Sequence, residues 1–145
     1  MTYRRRIAVE FNHCDPAGIV FYPRYFEMIN SVVENFFREA LDCPFARMMA
    51  EGTGVPAVRI ATEFLAPSRL GEVLDWALDV RRVGRASAEL RISAQGPGEG
   101  DRPELRLQAE MTLVFASLGG GARPWPEATR SRLEAALQRE PHEPA

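Results

Sequence analysis

Lysine is absent from this chain, so all 18 basic residues are arginine. Against 20 acidic residues they leave a net charge of −2, which gives no global reason to expect nucleic acid or an anionic membrane as a partner. Cysteine is nearly absent too. Cys14 and Cys43 are too few for a disulfide framework and wrongly spaced for a zinc site, so two reduced thiols in a cytoplasmic protein are expected, and no metal. Cys14 is a poor candidate nucleophile, because His13 is the only histidine ahead of the tail that is available to activate it. No run of about 18 apolar residues occurs. Met1-Thr2-Tyr3-Arg4-Arg5-Arg6 also lacks an apolar core, so neither a membrane span nor a signal peptide is expected.

What is present suffices for one core: 145 residues, 46% of them hydrophobic, without internal repeats. Ile7, Val9 and Phe11 alternate with Arg6, Ala8 and Glu10, as a first strand with one buried face. From Pro23 to Leu41 the residues Tyr25, Met28, Ile29, Val32, Phe36 and Phe37 recur at helical spacing, which predicts the longest helix with Pro23 at its first position. A short helical turn over Phe45–Glu51 is broken by Gly52 and Gly54. Period-two patterning then predicts Val58–Phe64 and Leu74–Val80 as strands joined by a turn at Pro67–Gly71. Ala88–Ala94 follows, and a hairpin at Gly96–Pro103 leads into Leu105–Phe115. Phe64, Trp76 and Phe115 fall on apolar strand faces and read as core. After Gly119-Gly120-Gly121, a flexible joint, Pro126–Arg139 predicts a short amphipathic helix, and 140–145 a disordered tail. One strand, a long helix and then antiparallel strands make an α+β arrangement.

The segment from His13 to Phe26 carries the chemistry. Asp15 precedes Pro16, so its backbone is pushed toward an extended conformation, while Pro16 fixes the next φ and Gly18 permits a sharp reversal. Ile19, Val20 and Phe21 supply a dry wall, beside which a carboxylate loses part of its hydration and gains basicity. The start of the following helix offers free N–H groups and a positive dipole end. A base and a stabiliser of negative charge thus lie a few residues apart.

Asp15-Pro16-Ala17-Gly18-Ile19-Val20, followed by an aromatic, Tyr22, Pro23 and Tyr25, resembles the active-site loop of the 4-hydroxybenzoyl-CoA thioesterase family, in the branch whose catalytic aspartate precedes the central helix. A weaker resemblance runs through Val55–Leu74 and on to Phe115. It implies a hotdog fold, a five-stranded antiparallel sheet wrapped around one long central helix, with residues 1–118 as a single thioesterase domain and 119–145 as joint, helix and tail. It also implies cofactor-independent hydrolysis of an aromatic, 4-hydroxybenzoyl-CoA-like, or short-chain acyl-CoA to a carboxylate and CoA. Asp15 would be the nucleophile or the general base, and the Tyr22 backbone N–H would stabilise charge on the thioester oxygen. A homo-oligomer, a dimer at least and a tetramer by resemblance, would cover the exposed edge of such a sheet and share the site between chains.

Other residues carry weaker expectations. His13 orients substrate or assists Asp15 if the first strand continues that far. Glu27 and Glu34 share a face of the long helix and are the alternative bases, although Arg24 and Arg38 stand at pairing distance in sequence. Arg81, Arg82 and Arg85 surround Gly84, where they either meet the phosphates of a nucleotide or form a solvated strand edge; Arg59, Arg69 and Arg123 are lesser candidates. Two further activities fit the same scaffold: non-catalytic acyl- or aryl-CoA binding, and an acyl-CoA hydratase that would need an Asp and His pair from Asp15 and His13.

Overall fold

The structure, a computed structural model, describes residues 1–138. Its centre is the helix α1 (Tyr22–Glu39), which buries Tyr25, Met28, Ile29, Val32, Val33, Phe36 and Phe37 along one stripe. Phe21 is extended at the cap, and Pro23, with no N–H to lose, sits at the second helical position.

Around α1 lies one antiparallel sheet of β1 (Tyr3–Ala8), β3 (Ala57–Phe64), β4 (Val73–Val83), β5 (Ser87–Pro97) and β6 (Pro103–Val114), in the order β1-β4-β5-β6-β3. The register pairs Trp76 with Ala94 and Ile92 with Ala109, so these inward rows and the α1 stripe close a single core. A five-stranded sheet wrapped around one long helix is the hotdog arrangement that the resemblance implied. The helix α2 (Phe45–Ala50) and the short strands β2 (Thr53–Gly54) and β7 (Ala116–Ser117), which pair with each other, cap the far end of α1. Periodicity gives no signal for two-residue strands, and these were not expected. Residues 117–121 close a tight reversal, and α3 (Glu127–Ala136) follows, with Trp125 and Leu133 in the same core as the sheet. Arg139 and residues 140–145, expected as the helix end and a tail, lie outside the described residues.

Several expectations are corrected. Pro67–Gly71 is not a turn between adjacent strands: β3 pairs with β6 at one edge, so residues 65–72 form a strap that crosses the sheet end to reach β4. The first strand begins at Tyr3 and ends at Ala8, and Phe11, in a single 3-10 turn over Phe11–His13, is 84% exposed instead of buried. Phe64 is 47% exposed, because no strand lies beyond β3 to cover it. Phe115 is buried past the end of β6, stacked on Trp125 with ring centroids 5.4 Å apart.

Candidate active site

The sheet end crossed by the strap is where the aspartate loop lies. Asp15 N–H donates to Ile19 O at 3.1 Å and Gly18 N–H to Asp15 O at 2.9 Å, closing residues 15–19 on themselves. The reversal needs Gly18, whose φ is +78°. Phe21 N–H donates to His13 O at 3.0 Å, which draws the two arms of the loop together and delivers the chain into α1.

Within this frame Asp15 is half-buried. Its Oδ1 accepts the Ala17 N–H at 2.9 Å, a local turn bond, while Oδ2 has no partner among the described residues. Tyr22 occupies the first position of α1, where no intrahelical acceptor exists, and its N–H is likewise unpaired among the described residues. Arg24 N–H is already taken by Phe21 O at 2.8 Å and Pro23 has none, so among the first three residues of α1 Tyr22 supplies the free donor. The positive end of α1 adds to its pull on an anion.

Aromatic rings gather at the start of α1. Phe64 reaches from β3 to Tyr22, Tyr25 and Phe26, with centroids 6.2, 5.8 and 6.3 Å away, and Phe21 meets Tyr22 edge-on at 5.5 Å. Phe21, Tyr22 and Phe64 are each about half exposed, an apolar surface at the start of α1. Periodicity had placed Phe64 in the core and so missed this exposed cluster.

The other sequence candidates are placed differently. β1 stops short of His13, whose Nδ1 instead accepts the Glu10 N–H at 2.9 Å and braces the 3-10 turn. Cys14 Sγ points at Glu10 O, 3.6 Å away. Glu27 is exposed and paired with Arg24 at 2.6 Å. Glu34 is exposed too, but the expected pair with Arg38 does not form: Arg38 turns to Asn35 and to Glu39, 3.2 Å away. Arg81, the residue passed over by the register shift between Val80 and Arg82 in β4, and Arg82 line a groove on the outer face of the sheet with Arg59, Arg91, Glu89 and Glu110. Arg85 is exposed on the neighbouring turn, where its carbonyl accepts the Trp125 N–H. All three stand at the far end of β4 from Val73 and the aspartate loop, about 30 Å away at ~3.3 Å per residue. Arg69 belongs to the strap, and Arg123 Nη1 donates to Ser117 Oγ at 3.4 Å. Among the described residues no three His, Cys, Asp or Glu side chains gather to hold a metal ion, and no helix is long and apolar enough to cross a membrane.

A family model described as the thioesterase-like superfamily matches residues 9–133. The 4-hydroxybenzoyl-CoA thioesterase of Pseudomonas sp. (strain CBS-3) is 29% identical over 122 residues, covering 83% of this chain and 85% of that protein. The crystal structure of a mutant 4-hydroxybenzoyl-CoA thioesterase complexed with 4-hydroxybenzoyl-CoA superimposes with a TM-score of 0.84 and 26% identity, over 91% of this chain and 98% of the other. A 1,4-dihydroxy-2-naphthoyl-CoA thioesterase from Synechocystis shares the fold at 18% identity, with a TM-score of 0.81 over 92% and 96% of the two chains.

Proposed function

The chain belongs to the thioesterase-like superfamily and is a thioester hydrolase, and from that premise we propose that it cleaves an aroyl-CoA, of the 4-hydroxybenzoyl-CoA kind, with Asp15 as the reacting carboxylate. The observation that carries this reading is the pair of unpaired groups in one loop-to-helix turn, Asp15 Oδ2 and the Tyr22 N–H. The Tyr22 N–H and the α1 dipole receive the carbonyl oxygen and stabilise the charge that develops on it. Asp15 then acts in one of two ways. It attacks the carbonyl carbon, expelling the CoA thiolate and leaving a mixed anhydride that water cleaves, or it takes a proton from the water that attacks. The Phe64, Tyr22 and Phe21 rings offer a planar aryl group offset and edge-on contacts, which favours an aromatic acyl group over a short aliphatic one.

Arg81, Arg82 and Arg85 hold the phosphates of CoA. Since they stand at the opposite end of β4 from Asp15, they serve the loop of another subunit. The bare edge of β3, with Val58, Ile60 and Phe64 exposed, is the surface on which a second copy pairs, giving a dimer and, by doubling, a tetramer. Cys14 and Cys43 are free thiols, as suits the cytoplasm.

The test is a panel of 4-hydroxybenzoyl-CoA, benzoyl-CoA, short-chain acyl-CoA and acyl-carrier thioesters assayed for thiol release. The aryl-CoA thioesters should give the highest kcat/KM. Tight binding of aryl-CoA without any hydrolysis would instead leave a binding module on the same fold.

A further inference from the structure

Arg106 is 3% exposed in a strand of leucines, and no step of thioester hydrolysis uses it. Its burial follows from a slip in register. Ala94 faces Leu107 and Gln95 faces Leu105, so Arg106 is the extra residue of a β-bulge, and a bulge re-aims the side chain it carries.

The guanidinium is turned under the strap. Nη1 donates to Pro67 O at 3.0 Å, Ser68 Oγ at 3.2 Å and Glu72 Oε1 at 2.9 Å, while Nη2 donates to Glu72 Oε2 at 2.9 Å and to Pro97 O. Glu104 Oε1 lies 2.8 Å from Nε, close enough to pair but off the N–H direction. Glu72 completes the clamp by accepting the Arg69 N–H at 2.6 Å, and Arg106 O accepts the Leu65 N–H at 2.9 Å. Two parallel bonds between a planar cation and a carboxylate fix orientation as well as distance.

What the clamp holds is the floor of the aspartate loop. Val20 N–H donates to Ser68 O at 2.9 Å, Leu70 N–H donates to Gly18 O at 3.1 Å, and Ile19 bridges Arg69 between them. Ser68 is fully buried and touches both sides, its hydroxyl on Arg106 and its carbonyl on Val20. Residues 18–20 are therefore caught between the strap below and Asp15 above.

We propose that Arg106 and Glu72 are positioning residues for the hydrolysis: by fixing the strap they hold the Asp15 carboxylate and the Tyr22 N–H at the separation that the thioester carbonyl requires, without touching substrate. This rests on the assignment of Asp15 and Tyr22 above. A displacement of about 1 Å in such a pair costs on the order of 10²-fold in rate.

The test uses Arg106→Lys, which keeps the charge and loses the fork, and Glu72→Gln as the milder variant that keeps an acceptor. In protein with wild-type circular dichroism and oligomer mass, kcat for an aryl-CoA should fall about 10- to 100-fold while KM stays within about twofold, since ground-state contacts are untouched. Hydrogen exchange at the Val20 and Leu70 amides should quicken while that at Ile92, in the middle of β5, stays slow. A merely structural pair would lower stability and leave both readouts of the folded protein unchanged, which overturns the proposal. Full kcat in folded Arg106→Lys beside an inactive Asp15→Asn overturns the clamp and leaves Asp15 standing. Loss of kcat in Arg106→Lys beside a fully active Asp15→Asn removes Asp15 from the mechanism and overturns with it the proposal that the clamp positions Asp15.

Discussion

The Ala17 N–H donates to Asp15 Oδ1 at 2.9 Å, so the carboxylate assigned to the chemistry also folds its own loop. Asparagine presents the same acceptor in the same place. Asp15→Asn should therefore keep its circular dichroism and oligomer mass while kcat falls about 10² to 10⁴-fold, the range for losing a general base. Asp15→Ala should lose activity and a further ~1 kcal/mol of stability with the turn bond, read by urea unfolding. Near-normal turnover in folded Asp15→Asn would send the search to Glu27 and Glu34, through their Gln variants.

Gly18 separates backbone strain from packing. A Cβ there would meet nothing within 4 Å, yet φ is +78°, so the cost of Gly18→Ala is conformational alone. It should be about 1 to 2 kcal/mol. That corresponds to a fall in Tm of several degrees for a chain of this size. Gly18→Asn should recover part of it, because Asn tolerates the left-handed region better. Equal Tm for Gly18→Ala and the parent would contradict the strain argument.

The residues that carried meaning in the sequence were those with local physics. The α1 stripe and the alternations Leu74–Val80 and Ala88–Ala94 are legible because a helix or strand face repeats in sequence; the turn that holds Asp15 was legible because Pro16 and Gly18 shape it locally. What stayed hidden depends on which strands become neighbours. Phe64 has the right phase for the core, but β3 has no outer neighbour, so about half the residue stays bare beside the first turn of α1. Arg106 stands at the polar phase between Leu105 and Leu107 and reads as solvent-facing; the bulge at Ala94/Gln95 turns it inward, and alternation carries no trace of a bulge. The strap was read as a turn because Pro67 and Gly71 are turn residues, while the crossing it makes is set by β3 pairing with β6, some fifty residues later.

Phosphate contacts far from the reacting carbon bind ground and transition states alike. Changing Arg81, Arg82 or Arg85 singly to Ala should thus raise KM for a CoA thioester several-fold with kcat nearly constant. A truncated pantetheine thioester should be indifferent to all three. Unchanged KM across the three variants removes the assignment.

Ile60 sits on the bare edge strand at 38% exposure, paired in register with Met111 on its covered side alone. Light scattering at micromolar concentration should give at least a dimer for the parent chain. Ile60→Lys places a charge on that edge, and charges there oppose strand addition. Its mass should fall to the monomer, and KM for a CoA thioester should rise with kcat nearly constant, since the arginines proposed to hold the phosphates would come from another subunit. A fully active monomer would refute the shared site.

Acid stability tests the clamp in a different currency from rate. The Arg106 guanidinium, bonded to both oxygens of Glu72, holds that carboxyl below its ordinary range; burial opposes this, and the Arg69 N–H adds to the lowering. A carboxylate whose pKa is lower folded than unfolded stabilises the protein above its unfolded value, here about 4.5, and loses that contribution as pH falls through the folded value. In Glu72→Gln the group no longer titrates. At pH 7 the variant should be less stable than the parent by about 2 to 4 kcal/mol, for a charge-assisted pair with Arg106 buried. Glu104, still 2.8 Å from Nε, keeps Arg106 from being left alone and the variant folded. Between pH 5 and pH 3 the parent should lose stability faster than Glu72→Gln, so that the two urea midpoints converge. Acid effects common to every other carboxylate cancel in the difference. A gap between parent and variant that is the same at pH 7 and pH 3 would show that Glu72 does not owe its place to the charge of Arg106.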